Sequence, residues 1–201
     1  MCIRDRKATL KDRDHVVGIL HSAFEPILEP NSINFVVKQD QHRSKRLRVL
    51  MEFLVDDCFD FGEVLLSDQR NACILLKYPN SQKITFRFIK RQLRIAFKCI
   101  GLSRVPKILK RQAQVSKNHP KGEDYIHPVI MGATNEVKGF GYGVRLIKQL
   151  FAEHPDNVLP VVTETTTSVN LNIYKRFGFE LYNQIETEDF PIYFLRLPIT
   201  K

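Results

Sequence analysis

Three glycines at alternate positions, in 138-KGFGYG-143, stand between a strand-like run, 125-YIHPVIMGA-133, and a helical apolar periodicity ending near His154 and Pro155. A strand, a glycine turn and a helix in that order make a β–loop–α unit, which needs a second strand beside the first. The glycines let the backbone pass close to whatever the loop encloses. The first turn of the helix has unpaired N–H groups at the positive end of its dipole, so the natural guest is an anion. Two familiar phosphate loops fail on spacing. A dinucleotide-binding GxGxxG beginning at Gly139 needs glycine where Val144 stands, and GxxxxGK[ST] occurs nowhere in the chain. From spacing alone, turn chemistry and an anion cradle both stand.

The flanking sequence supplies the rest of the sheet. Residues 158-VLPVVTET-165 read as the neighbouring strand, followed by a short helix, 169-VNLNIYKRF-177, that Gly178 ends. Strands 179–186 and 191–197 complete the chain. Upstream, Val16, Val17, Ile19, Leu20 and Phe24 mark a helix that Asp12 or Asp14 can cap, broken by Pro26 and Pro30. A second helix is predicted over 41–57, then a hairpin from 62-GEVLLSD-68 and 71-NACILLKY-78. In 84-ITFRFIKRQLRIAFKCIG-101 the residues Phe86, Ile89, Leu93, Ala96, Phe97 and Ile100 share one helical side, with Arg87, Lys90, Arg91, Arg94 and Lys98 largely opposite. A further short helix fits 105–117. The order predicts an α/β (α+β) single domain over 1–201, with a mixed sheet and helices on it.

Net charge sharpens the picture once it is located. Fourteen Lys and Arg lie between Gln69 and Gly122 with no Asp or Glu, while the remainder carries 17 against 22 acids. Three readings stand for this basic middle: a solvated helix face, a rim that draws in a polyanion, or a surface for anionic lipid or nucleic acid. No motif for reading a specific nucleic acid is present. The four cysteines (Cys2, Cys58, Cys73, Cys99) show no CxxC and no cluster with histidine, which argues for reduced thiols, a cytoplasmic setting and no metal. No apolar run approaches membrane-spanning length.

Two motifs, in order and each after a strand, carry a resemblance. Residues 138-KGFGYG-143 resemble the (Q/R)xxGxG pyrophosphate loop of the GCN5-related N-acetyltransferase (GNAT) family, with Lys138 at the Gln/Arg position. Residues 170-NLNIYKRFGFELY-182 resemble its second cofactor element, N-x-x-x-Y-x-x-x-G-F. The opening 7-KATLKDRD-14 is similar to the family's R-x-A-T-x-x-D, and 161-VVTETTTSVNLNIYKRFGFEL-181 looks closest to the puromycin-acetyltransferase-like branch. The family's first strand would fall on 1-MCIRDR-6, a poor strand, which points to a truncated or foreign start.

The resemblance implies a largely antiparallel sheet in which two central parallel strands, here 125–133 and 158–165, splay apart around acetyl-CoA. Lys138, Gly139, Phe140, Gly141, Tyr142 and Gly143 would wrap the pyrophosphate. A backbone N–H near Gly132 or Ala133, at the bulge typical of that strand, would meet the thioester oxygen. Asn170 and Tyr174, four apart and so on one helix face, would face the pantetheine arm, with Tyr174 as general acid. Glu164 reads either as general base or as a solvated strand-end glutamate. His127 reads rather as structural, and His119, His154 and His21 carry no signal. The implied activity is direct acetyl transfer from acetyl-CoA, as co-substrate, to a small primary amine, by a monomer or homodimer. The alternative is a non-catalytic module that binds CoA or an anionic surface.

Overall fold

The computed structural model describes residues 6–79, 84–137, 146 and 159–198. They form a mixed α/β domain built on two sheets. The first sheet has the order β1 (Arg6–Lys7), β2 (Gly62–Leu66), β3 (Ala72–Lys77), β4 (His127–Ala133), all antiparallel. The second has the order β5 (Val161–Thr165), β7 (Ile192–Leu197), β6 (Glu180–Ile185), again antiparallel.

β2 and β3 are nearly continuous apolar runs because both of their faces are buried. Val64, Leu66, Cys73 and Leu75 face the helices α1 (Arg13–Phe24) and α3 (Arg43–Phe61), where Val17, Leu20, Leu47 and Met51 close the core. Leu65, Ile74 and Leu76 face the other way and pack with Ile126, Val161, Phe179 and Leu195. The alternation is the two-residue period of a strand.

α3 runs into β2 without a connecting residue, and Gly62 makes that possible. A Cβ there would lie 2.0 Å from the Leu76 carbonyl oxygen, far inside any contact distance. Gly62→Ala is expected to cost about 1–3 kcal/mol, the usual range for forcing atoms into a packed site. A lower urea midpoint with unchanged slope checks it.

The chain start differs from expectation in one respect. Neither Asp12 nor Asp14 caps α1 from the front. A short 3-10 turn, Leu10–Asp12, precedes α1, and the Asp12 carboxylate reaches back to accept the Thr9 N–H (2.9 Å) and hydroxyl (3.0 Å). Arg6 binds the same carboxylate through both terminal nitrogens at 2.8 Å, which holds its pKa well below the usual carboxylate range. A helix absent from the expectation, α2 (Ser32–Val36), follows Pro30, its entry capped by the Asn31 side chain accepting from the Asn34 N–H.

The basic segment forms α4 (Phe86–Ile95), a π-helical turn Ala96–Ile100, and α5 (Val105–Asn118). The apolar stripe faces outward over most of its length. Phe86, Ile89, Leu93 and Phe97 are exposed, Ala96 is half-buried and Ile100 alone of the stripe is buried, with Ile95 and Cys99 buried beside it. Charge decides the orientation. α3 presents Glu52, Asp56 and Asp60 at four-residue spacing, one ridge of a helix. Arg94 meets Glu52 at 2.5 Å, Arg91 meets Asp60 at 2.7 Å and Asp56 at 3.7 Å, and Arg87 approaches Asp60 at 4.0 Å. The arginine side must therefore lie on α3.

Candidate active site

A single isolated backbone bridge joins the two sheets among the described residues. Ile126 and Val161 form a parallel bridge in which the Ile126 N–H donates to the Pro160 carbonyl and the Val162 N–H to the Ile126 carbonyl, each at 2.9 Å. Beyond it β4 stays with β3 and β5 with β7, so the neighbouring parallel strands diverge. This is the splay anticipated for 125–133 and 158–165.

β4 is irregular within that gap. Leu75 pairs with Ile130 but Leu76 with Pro128, which leaves Val129 as an extra residue with no partner on β3. The bulge thus lies at 128–130 and not at Gly132–Ala133, which pair regularly with Cys73 and Ala72. Pro128 has no N–H to give to a ladder, so the register breaks beside it. Gly132 serves packing: a Cβ there would sit 3.0 Å from Leu20 and 3.2 Å from Ala23 of α1.

Glu164, on β5, gathers two histidines that are distant in sequence. His127 at the start of β4 and His119 just after α5 each bring Nε2 to the same Glu164 Oε2, at 3.0 and 3.1 Å. Their rings stand edge to face with centroids 5.0 Å apart. His119 Nδ1 lies 3.0 Å from the Tyr125 hydroxyl. Burial by itself would raise the Glu164 carboxyl, but the imidazoles of His127 and His119 more than reverse this and hold it well below the usual carboxylate range. An ionised carboxylate only accepts, so both Nε2 atoms carry protons. His119 Nδ1 then accepts from the Tyr125 O–H. His127 Nδ1 is left as the one imidazole lone pair of the set without a partner among the described residues.

α6 (Ser168–Arg176) carries Asn170 and Tyr174. At its start the Thr167 hydroxyl accepts the Asn170 N–H at 3.3 Å. At its end the Gly178 N–H donates to the Lys175 carbonyl (3.0 Å) and the Phe179 N–H to the Tyr174 carbonyl (3.1 Å), with Gly178 at φ 86°. This is a Schellman cap, and its usual apolar clasp is Tyr174 against Phe179, ring centroids 5.1 Å apart. The G-F of the sequence motif is therefore the device that fixes Tyr174. The Tyr174 phenol is raised by burial, partly offset by a hydrogen bond with Thr163 of β5, and raised further by the nearby Glu164 charge. It stays protonated at neutral pH. The Asn170 side chain is exposed.

Solved structures similar to this chain share the architecture from end to end. The Corynebacterium glutamicum protein described as histone acetyltransferase HPA2 and related acetyltransferase superposes with a TM-score of 0.67 at 18% identity, over 100% of this chain and 98% of that one. Arylalkylamine N-acetyltransferase 2 from Aedes aegypti gives 0.66 at 14%, over 100% of both chains. A GNAT family acetyltransferase from Brucella melitensis, solved with acetyl-CoA, gives 0.50 at 14%, over 100% of this chain and 90% of that one. The fold is the GNAT fold. No family model and no curated protein matches the sequence.

On this GNAT fold the expected site residues separate into three groups. Glu164, Tyr174 and Asn170 belong to β5 and the helix that follows it, as anticipated. Gly132 and Ala133 lie on β4 beyond its bulge. Lys138, Gly139, Phe140, Gly141, Tyr142 and Gly143, the whole glycine loop, lie outside the described residues. His119 was missed because a histidine beside a turn has no periodicity to report it. The nearest signal was Tyr125 and His127 two residues apart on one strand, a polar side facing the gap. The expectation of no metal rested on cysteine spacing, yet His119, His127 and Glu164 bring donor atoms within 4.8 Å of one another. The hydrogen bonds already use those atoms, and a divalent ion would have to displace both Nε2 protons. Cys58, Cys73 and Cys99 are buried, and burial pushes each thiol up to about 12, so none is a ready nucleophile.

Proposed function

We propose that this chain is an acetyl-CoA-dependent N-acetyltransferase that moves acetyl directly to the primary amine of a small acceptor. One observation carries the reading: an unpaired strand residue, a phenol, and an imidazole held by a half-buried carboxylate are all built on the two strands that diverge, or on the helix after them. A pure binding module has no use for a desolvated carboxylate fixed between two imidazoles. The neighbours support the class, since one is named an arylalkylamine N-acetyltransferase and another was solved with acetyl-CoA. The puromycin-acetyltransferase-like branch rests on the string 161–181 alone.

Acetyl-CoA supplies, when bound, the thioester carbonyl and the sulfur leaving group. The fit is favourable at the bulge, where Val129 has no ladder partner and its N–H is a candidate donor to an oxygen gaining negative charge. Gly132 pairs with Cys73 across the β3–β4 ladder, so the donor role moves toward Val129, with Ala133 as the second candidate. Lys138 to Gly143 would hold the pyrophosphate, as the motif resemblance implies, and Asn170 would meet the pantetheine arm.

The acceptor must be neutral at nitrogen when it attacks. His127 Nδ1 takes the proton that the amine loses, and Glu164 holds the imidazole in the tautomer that leaves this nitrogen free. Glu164 is thereby a positioning residue more than a base: a carboxylate held below its usual range binds protons poorly. Tyr174 gives its proton to the departing sulfur, and the two groups return to their starting states by proton exchange with solvent. With every cysteine in the described residues buried and its thiol raised, attack by the amine itself is the direct course.

Two measurements test this. Acetyl-CoA at 100 times its dissociation constant should add about 2.7 kcal/mol of stability. Gly141→Val should remove that shift while leaving the unliganded transition in place. A folded, unsubstituted protein with no shift would overturn cofactor binding. Release of free CoA across a panel of polyamines, arylalkylamines, aminoglycosides and nucleoside antibiotics then identifies the acceptor.

A further inference from the structure

We infer that the outward face of α4 is a docking surface for an anionic lipid bilayer. Phe86, Ile89, Leu93 and Phe97, spaced three, four and four, form one apolar stripe that remains 84%, 46%, 55% and 58% exposed. Single exposed apolar residues are ordinary, but a contiguous helical stripe is not. It is held outward by a specific interaction, because the Arg94–Glu52, Arg91–Asp56 and Arg91–Asp60 pairs lock the opposite side of the helix onto α3. Turning the stripe inward would break all of them.

Charge selects the occupant. With about 100° of rotation per residue, Lys90 and Lys98 fall along one border of the stripe, beside Arg87 and Arg94, which Asp60 and Glu52 of α3 already engage. Lys90 and Lys98 are exposed, and no acid lies between Gln69 and Gly122. A second copy would bring these cations against their own kind. A bilayer carrying anionic headgroups meets them with opposite charge, while the aromatic and aliphatic side chains enter the boundary between headgroup and acyl chain. No helix among the described residues is long and apolar enough to cross a membrane, so the contact is with the surface. The surface is separate from the β4–β5 gap, and the inference stands or falls without the enzymatic reading.

The test is co-sedimentation of the full chain with vesicles of phosphatidylcholine alone or with about one-quarter phosphatidylserine. Binding is expected to the second kind only. It should fall roughly 10-fold or more on going from about 0.1 M to about 0.5 M salt, where the Debye length is shorter. The double variant Leu93→Ser/Phe97→Ser should lose binding even at low salt, and Lys90→Glu/Lys98→Glu should lose the preference for phosphatidylserine. Both variants should keep the wild-type circular dichroism spectrum and thermal transition, since the replaced side chains are exposed. Failure of the folded wild-type chain to bind either vesicle overturns the proposal. So does equal binding to both, or a wild-type dimer in light scattering that Leu93→Ser/Phe97→Ser converts to monomer. Tight binding to a DNA duplex that the serine variant retains would assign the cations to nucleic acid and overturn it as well.

Discussion

Turnover of a His127→Gln variant is expected to fall roughly 10²–10⁴-fold, the usual range for removing one general base. The substitution keeps a polar side chain of similar reach and removes the only imidazole nitrogen of the cluster that lacks a partner among the described residues. Acetyl-CoA binding should survive, so the thermal shift with acetyl-CoA serves as the control. Glu164→Gln should give a smaller fall in turnover, because the glutamine carbonyl can still accept from the imidazoles but its neutral amide no longer holds them by charge. The Glu164 variant has a second signature. Folding lowers the Glu164 pKa, so the stability it contributes is fully present above the ordinary glutamate value of about 4.3 and is lost as pH falls below it. Glu164→Gln should therefore lower stability at neutral pH and make it decline less steeply toward acid. Unchanged turnover in His127→Gln, with chemistry shown to limit the rate, would return that histidine to a structural role.

Much of this site was legible because its parts are local. The N-x-x-x-Y-x-x-x-G-F string is a nine-residue helix with a Schellman cap, and every feature of it lies within one turn of chain: Tyr174 and Phe179 clasp, Gly178 supplies the positive φ. The hairpin at 62–78 was equally plain, since two apolar runs joined by polar turn residues have few other uses. What escaped depends on partners far away in sequence. His119 joins Glu164 across 45 residues, and nothing near His119 announces it. The bulge position depends on how β3 meets Pro128, a pairing that one strand's sequence does not contain. α4 shows a third case, in which the sequence left the orientation open. Its apolar periodicity reported correctly that the helix has two faces, but which face turns inward was decided by Glu52, Asp56 and Asp60 on another helix. Matching acids at four-residue spacing to arginines of comparable spacing was the available signal.

Tyr174→Phe is the companion experiment at the other end of the reaction. The leaving sulfur departs as a thiolate, whose conjugate acid has a pKa of about 8.5 if it resembles cysteine. A phenol raised above its ordinary value by burial is a weaker acid than that thiol. It remains fully protonated at neutral pH, however, and a positioned donor protonates the sulfur as charge builds on it. Phenylalanine removes the hydroxyl alone. The ring still closes against Phe179, and the backbone cap made by Gly178 and Phe179 does not involve the side chain. Folding and acetyl-CoA binding should therefore persist, with the Thr163 hydroxyl, which donates to the Pro128 carbonyl at 3.3 Å, losing one neighbour. Turnover should fall roughly 10²–10⁴-fold, as for the loss of one general acid. The alkaline limb distinguishes the two variants: Tyr174→Phe should abolish the fall in rate as the phenol ionises, and His127→Gln should leave it. An alkaline limb that survives in Tyr174→Phe, with turnover unchanged and chemistry rate-limiting, would leave Tyr174 as the apolar clasp of α6 and nothing more.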